Sequence, residues 1–238
     1  MRGLATGAKI LALARCSLRT RVSARGSLQK PGLGCQTRGA WAAIAALVAL
    51  VGFVAAVVAE HVLNPHLDPA THEISEYAKT RTGWVMTVGF ALWALSILFL
   101  AWAVVTTHVR QSAVLAVAFF LLAAAVGVVV LSVFETQTSA GRLPAGVRLT
   151  ASGRLHDVGS GLTSIALWLA AICAALAAGL PGWLRRLSVA VAGLAVVGDV
   201  GLLLIGSSVD GVRQRLLIAI ACAWLSALGW MLARRLRS

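Results

Sequence analysis

The chain has 238 residues, of which 59% are hydrophobic and 12% are charged, and its formal net charge is +13. A soluble domain carries roughly 25% charged residues because its surface faces water, so this composition excludes an ordinary soluble protein and indicates a surface in contact with lipid. The basic residues cluster in the N-terminal tail and at predicted helix ends, which is typical of a topology signal and of attraction to anionic headgroups, and it argues against nucleic-acid binding.

The N-terminal segment, residues 1–39, contains eight lysines and arginines and no acid. It has no uninterrupted apolar core, so it does not match a secretory signal peptide. We expect a basic, disordered cytoplasmic tail. A mitochondrial targeting segment is the alternative, because such segments are also rich in arginine and poor in acids.

Six apolar stretches follow the tail, each about 20 residues or longer, which is enough to cross the ~30 Å hydrocarbon core as a helix. Backbone groups in lipid must be paired within the segment, so helices are the expected spanning form. The sequence therefore predicts an all-α, polytopic membrane helix bundle over residues 40–235. The predicted spans are 40–59, 83–106, 112–134, 157–179, 187–206 and 214–233.

The distribution of lysine and arginine predicts the topology. With the N-terminus inside, the inner segments carry twice as many of these residues as the outer ones, which favours cytoplasmic N- and C-termini. We expect the membrane to be a bacterial plasma membrane. All eight acids and four of the five histidines then lie in the outer half, together with two long loops at about 61–82 and 135–155. A functional site is therefore expected on the outer side.

The first outer loop combines several chemically active side chains. Asp68 followed by Pro69 predicts a helix capped by the aspartate and beginning at the proline. Its polar residues would recur at i, i+3, i+4 and i+7 and share one face. These residues are His72, Ser75, Glu76 and Lys79. The alternative is a solvated interfacial helix with an ordinary polar face.

The second outer loop is flanked by Glu135 at the end of the third span and by His156 and Asp157 at the start of the fourth. These side chains could face one another. Asp157 also has a purely structural explanation, because a helix N-terminus favours an anion. That explanation does not extend to His156.

Asp199 is predicted inside the fifth span, about 12 Å below its outer end at Ser207. A carboxylate at that depth costs about 2.5–3.5 kcal/mol, so it should face the bundle interior and either serve a function or form a buried ion pair. Its nearest candidate partners are Arg213, Arg215 and His156. The two arginines could also bind phosphate headgroups, or simply anchor the helix end in the interface.

Three motifs precede the second, fourth and last spans in that order: His72-x-x-Ser75-Glu76, Gly153-x-Leu155-His156 and Gly211-x-x-Gln214-Arg215. With the span pattern, they resemble the bacterial and archaeal multi-pass membrane family called domain of unknown function 998, over residues of about 40–235. The resemblance implies a multi-pass membrane fold and no assigned reaction. Members often have Phe-Pro-x-Asp after the third span, where this chain has Phe134-Glu135-Thr136-Gln137.

Two functions fit the polar residues, and a structural or interaction role is a third possibility. The first is an outward-facing polar pocket that binds or passes a lipid or small solute. The second is a metal-dependent hydrolase acting on a lipid or amide at the outer leaflet, by analogy with zinc-binding membrane hydrolases of the alkaline ceramidase type. Its weak candidate zinc ligands are His72, His156 and Asp157. Whether the chain is an enzyme, and its oligomeric state, are left open.

Overall fold

A computed structural model describes residues 33–107, 112–201 and 209–235 of the chain. These residues form helices joined by loops, which confirms the predicted all-α bundle. The helices, named in chain order, are α1 (Leu33–Leu63), α2 (Trp84–Thr107), α3 (Ser112–Val133), α4 (Ala151–Leu176), α5 (Gly182–Val196) and α6 (Asp210–Arg235). A 3₁₀ helix (Ile74–Lys79) lies in the first loop, and a π-helical segment (Val197–Gly201) continues α5.

Five of the described helices are long and apolar enough to cross a membrane: α1, α2, α3, α4 and α6. Large apolar side chains cover their outer surfaces, among them Val48, Phe119 and Leu176, each more than 60% exposed. Apolar surface of this extent is unfavourable in water and is normal against hydrocarbon. The chain is therefore an integral membrane protein.

The predicted count of six spans is one more than these five helices. α5 by itself has 15 residues, about 22 Å, which is shorter than the ~30 Å hydrocarbon core, and the π-helical segment Val197–Gly201 lengthens it. The end of the predicted fifth span, residues 202–206, lies outside the described residues. The chain nevertheless changes sides here. Arg235 donates to the carbonyl of Gly179 at one end of the bundle, whereas Val212 donates to Ala70 at the other.

Two helices begin earlier than predicted. α1 begins at Leu33 rather than at residue 40, and the first 32 residues of the predicted tail lie outside the described residues. α4 begins at Ala151 rather than at residue 157. Thr150 caps this helix, because its hydroxyl oxygen accepts a hydrogen bond from the amide of Gly153 at 3.3 Å. Asp157 is therefore in the second turn of α4 and not at its N-terminus.

The six helices form a ring in which each packs against the next and α6 returns to α1. Among the described residues, α5 and α6 make fewer contacts with each other than the neighbouring helix pairs do. α3 and α4 approach each other closely where they cross, because Gly127 and Gly159 let the two backbones come into contact. We use "loop face" for the side formed by residues 64–83, residues 134–150 and the start of α6.

Candidate functional site

The first loop does not form the helix predicted from Pro69. Asp68 does start a turn, since its side chain accepts from Ala70 N at 2.9 Å and its carbonyl accepts from His72 N at 2.9 Å. Glu73 is then extended, and the 3₁₀ helix begins only at Ile74. His72 therefore lies outside the helical segment that carries Ser75 and Glu76, and the predicted shared face is absent.

Glu76 binds the second loop to the first. One of its carboxylate oxygens accepts from Ala140 N at 2.9 Å and the other from Gly141 N at 3.0 Å. Both loop residues have positive φ, in a tight turn closed by the amide and carbonyl groups of Ser139 and Arg142. Glu76 is 3% exposed. Its carboxylate is thus already occupied by two backbone donors, which is a structural role.

Arg215 binds the first loop to the start of α6. Its guanidinium donates to His61 Nε2 at 2.9 Å, to the carbonyl oxygen of His72 at 2.7 Å and to that of Gly211 at 2.9 Å. It also donates to the hydroxyl of Tyr77 at 3.3 Å. Burial raises the pKa of Tyr77, and the positive charge of Arg215 acts in the opposite direction. We refer to these five residues as the arginine clamp.

The rest of the Gly211-x-x-Gln214-Arg215 motif serves the same junction. A Cβ at Gly211 would lie 2.5 Å from the carbonyl oxygen of Pro69, so only glycine allows this approach. The side-chain oxygen of Gln214 accepts a hydrogen bond from Ile74 N. The motif therefore attaches the first loop to α6 along one turn of helix.

The remaining charges of the predicted site form a separate group. Arg213 pairs with Asp210 at 3.3 Å, one turn apart on α6. Asp199 is half-buried in the π-helical segment that follows α5. Burial raises the pKa of Glu73 in the first loop, and the carboxylates of Glu76 and Asp210 raise it further.

His156 and Asp157 point in different directions. His156 is 5% exposed, and its Nδ1 lies 2.8 Å from the carbonyl oxygen of Phe134 and 3.1 Å from that of Leu131. Asp157 is exposed on the outer surface of α4. Within the described ranges, no group of three histidine, cysteine or acidic side chains could hold a metal ion. His72, His156 and Asp157 therefore do not form the ligand set that the hydrolase alternative requires.

A cavity of about 80 Å³ lies beneath the first loop, between α2, α4, α5 and α6. Ile74 and Ser75 line it next to the loop face, and Trp168 and Trp224 line it toward the middle of the bundle. Of the eight predicted site residues, only Ser75 and His156 line this cavity. The other six lie in the loop contacts, on the helix surface or in the π-helical segment.

One stripe of α4 supplies most of the polar wall of this cavity. His156, Ser160 and Ser164 recur every four residues and line it together with Thr163. The hydroxyls of Ser160 and Ser164 have no hydrogen-bond partner in the part of the chain that the structure describes. The same holds for His156 Nε2. These atoms are therefore available to a molecule in the cavity.

Two more lining residues carry buried polar atoms without partners. They are Ser75 Oγ and Trp93 Nε1, in side chains that are each 4% exposed. By contrast, Trp224 Nε1 donates to Ser188 Oγ at 2.9 Å, so this residue presents its ring to the cavity. The wall thus combines apolar rings with a few uncharged polar groups, which is the usual composition of a small-molecule site.

Sequence reasoning missed several residues of this region. Ser160 and Ser164 could have been predicted from the sequence, since they follow His156 at helical spacing within an apolar stretch. The contacts of His61 and Tyr77 could not have been predicted, because their partner Arg215 is far along the chain. A buried cluster was also missed. Glu60 is fully buried and accepts from Thr82 Oγ1 at 3.2 Å, beside an amide of Asn64 that donates to both.

The family described as "Protein of unknown function (DUF998)" matches residues 47–231, which include the loop face and every lining residue of the cavity. This match confirms the resemblance seen in the three motifs. No curated protein and no solved structure matches the chain.

Proposed function

We infer a binding function for this chain, which belongs to the DUF998 family of proteins of unknown function. The cavity beneath the loop face binds, or passes, a lipid or small solute. The observation that carries this proposal is the stripe of His156, Ser160 and Ser164, whose free polar atoms line a cavity in an apolar bundle.

The energetics support this use. A polar group left unpaired in an apolar interior destabilises a protein by about 1–3 kcal/mol. Ser75 Oγ and Trp93 Nε1 are buried without partners, and the serine hydroxyls of α4 add to them. A core with a purely structural role would be more stable if apolar groups replaced these polar ones. A binding site needs them, because they orient the ligand.

The orientation is part of the same proposal. The excess of lysine and arginine in the tail and after α6 supports cytoplasmic termini and a loop face directed outward in a bacterial plasma membrane. A C-terminal fusion to green fluorescent protein should fluoresce, and a fusion to alkaline phosphatase at the same site should be inactive. The reverse result would place the cavity on the cytoplasmic side.

Photolabelling tests the binding itself. Three hexadecyl probes with the same diazirine would be used, ending in an alcohol, a carboxylate or a trimethylammonium group. The purified full chain in detergent is irradiated with each probe, and the labelled peptides are mapped by mass spectrometry. At least one probe should label the α4 and α6 peptides that line the cavity.

Two matched variants on α6 show whether this labelling comes from the cavity. Ala221 lines the cavity, whereas Ala219 is exposed on the outer surface of the same helix. Ala221→Phe should abolish the labelling, and Ala219→Phe should leave it unchanged. If Ala221→Phe does not fold, Ala195→Leu fills the cavity from α5. Labelling that stays the same when the cavity is filled by a larger side chain would refute the binding proposal.

A further inference from the structure

The cavity wall contains no charged side chain among the described residues. None of its lining residues is an aspartate, glutamate, lysine or arginine. The nearby arginines are engaged elsewhere, Arg215 in the arginine clamp and Arg213 with Asp210. A charged group entering the cavity would lose its hydration without gaining a counterion, which is strongly unfavourable. The wall therefore selects an uncharged ligand.

The contacts of His156 determine which of its nitrogens carries hydrogen. Its Nδ1 lies within 3.1 Å of two carbonyl oxygens, those of Leu131 and Phe134. A carbonyl oxygen can only accept, so Nδ1 carries the proton and donates. In the neutral ring Nε2 then has a lone pair and accepts. The ligand group that fits this nitrogen is a hydrogen-bond donor.

The two serines set a second requirement. They lie one and two turns further along α4, about 6 and 12 Å from His156 along the helix axis. A hydroxyl both donates and accepts, so Ser160 and Ser164 can bind a group that does both. An alcohol has this property, and it also provides the donor that Nε2 needs. A ketone or an ester lacks the donor.

The rest of the wall fits hydrocarbon. Trp168, Leu217 and Ile218 line the cavity with apolar surface. A water needs roughly 10–15 Å³ of such space, so about 80 Å³ holds a hydroxyl and the first few carbons of a chain rather than a whole lipid. The described parts of α5 and α6 are in sparse contact, which suits a hydrocarbon chain that leaves the cavity between them and continues along the bundle surface.

We propose that the cavity takes an uncharged lipid with a free hydroxyl group, whose hydroxyl donates to His156 Nε2 and whose first carbons lie against Leu217 and Ile218. This inference rests on the proposed binding function and names the ligand class for it. Ser160, one turn from His156, binds the oxygen of this hydroxyl, and Ser164, two turns away, can bind a second polar group further along the ligand.

The three hexadecyl probes test the ligand class directly. At pH 8 the alcohol probe should label the cavity peptides about tenfold more than the carboxylate and trimethylammonium probes, the ratio that one hydrogen bond of about 1.4 kcal/mol gives. His156→Asn keeps a donor near the position of Nδ1 and removes Nε2, so it should reduce the preference to about twofold or less. His66 is exposed and provides the control, since His66→Asn should leave the preference for the alcohol probe unchanged.

A second pair of variants covers a failure of His156→Asn to fold. Ser160→Ala should lower labelling by the alcohol probe about threefold, whereas Ser226→Ala, at an exposed position of α6, should not. If a charged probe labels as strongly as the alcohol and Ala221→Phe blocks it, the binding function stands and the hydroxyl lipid is refuted. If no probe responds to Ala221→Phe, the binding function itself is refuted.

Discussion

Arg215 Nε donates a hydrogen bond of 2.9 Å to His61 Nε2, although 154 residues separate the two in the chain. His61 Nδ1 lies 2.6 Å from the carbonyl oxygen of Val57, so Nδ1 must be the nitrogen that carries hydrogen. Within the described ranges, the guanidinium has no carboxylate partner closer than 4.0 Å. A neutral imidazole and backbone carbonyls hold this arginine, and they join α1, the first loop and α6 at one point.

The first prediction concerns this bond. His61→Phe keeps a ring against Tyr77, whose centroid lies 4.9 Å from that of His61, but it removes the acceptor. We expect a loss of about 1.5–3 kcal/mol, the range for hydrogen bonds to charged groups. Thermal unfolding in detergent should show a midpoint lower by roughly 3–10 °C. His61→Gln should recover part of this loss because its amide oxygen accepts, and an unchanged midpoint for His61→Phe would show that the bond adds no stability.

The second prediction compares two glycines of the second loop. Gly141 has φ +72°, and a Cβ there would lie 2.8 Å from both Cβ and Oδ2 of Asp210. Gly146 has φ +80° and open space around it. Gly146→Ala therefore adds only backbone strain of about 1–2 kcal/mol, whereas Gly141→Ala adds a clash at the contact between the second loop and α6.

Thermal unfolding of the two variants separates the cost of backbone strain from the cost of the clash with Asp210. Gly141→Ala should have the lower midpoint, and its second loop should be cleaved faster by protease because the bonds from Ala140 and Gly141 to Glu76 are weakened. Equal midpoints would mean that the contact with Asp210 adds nothing beyond the turn itself.

The membrane-spanning helices were predictable because the signal for a span is local. About 20 consecutive apolar residues decide it, and no distant partner is involved. The ends were less predictable. The apolar stretch predicted that α4 begins at residue 157, although Thr150 caps the helix well before Asp157, where that stretch begins. A helix end is set by hydrogen bonding, whereas the span is set by hydrophobicity.

The site was less predictable than the fold because its bonds are long-range. Asp68 and Pro69 fit a helix start by local rules, but α6 takes the backbone groups that such a helix would use. Arg215 binds the carbonyl of His72, and Gln214 binds the amide of Ile74. Sequence spacing contains no information on these pairs. The polar stripe below His156 is a local helical pattern and could have been found.

The third prediction is a pH dependence from Glu73. Burial, with the carboxylates of Glu76 and Asp210, raises the pKa of Glu73 above its ordinary value of 4.5. Folding therefore favours its protonated form, and this stabilisation is present at low pH and lost as the pH rises through the raised pKa. Above the raised pKa the ionised side chain opposes folding.

Glu73→Gln should consequently raise the unfolding midpoint at pH 7–8, by roughly 1–3 °C, and this advantage should shrink as the pH falls through the raised pKa and be absent below about 4.5. The midpoint is measured in one detergent across pH 4 to 8. Glu135→Gln, at an exposed position, is the control, and its unfolding midpoint should differ from that of the wild type by the same amount at every pH. A lower midpoint for Glu73→Gln at pH 8 would contradict the assigned direction.

The fourth prediction tests how the α3–α4 crossing positions the cavity. A Cβ at Gly159 would lie 2.8 Å from Leu131 N and 2.9 Å from Gly127 O, which are backbone atoms that cannot rotate away. Gly161 is two residues further along α4 and has nothing within 4 Å. Gly159→Ala should lose about 1–3 kcal/mol by overpacking, and Gly161→Ala should be near neutral.

Gly159→Ala should also move α4 away from α3 and so displace His156 in the cavity wall. His156 is on the turn next to Gly159, and the hydrogen bonds of its Nδ1 at the end of α3 depend on the spacing between the two helices. Once α4 moves away from α3, His156 loses its fixed orientation. Gly159→Ala should therefore weaken photolabelling by the alcohol probe even in the fraction that remains folded, whereas Gly161→Ala should not. Full labelling of folded Gly159→Ala protein would show that the helix crossing stabilises the bundle without positioning His156.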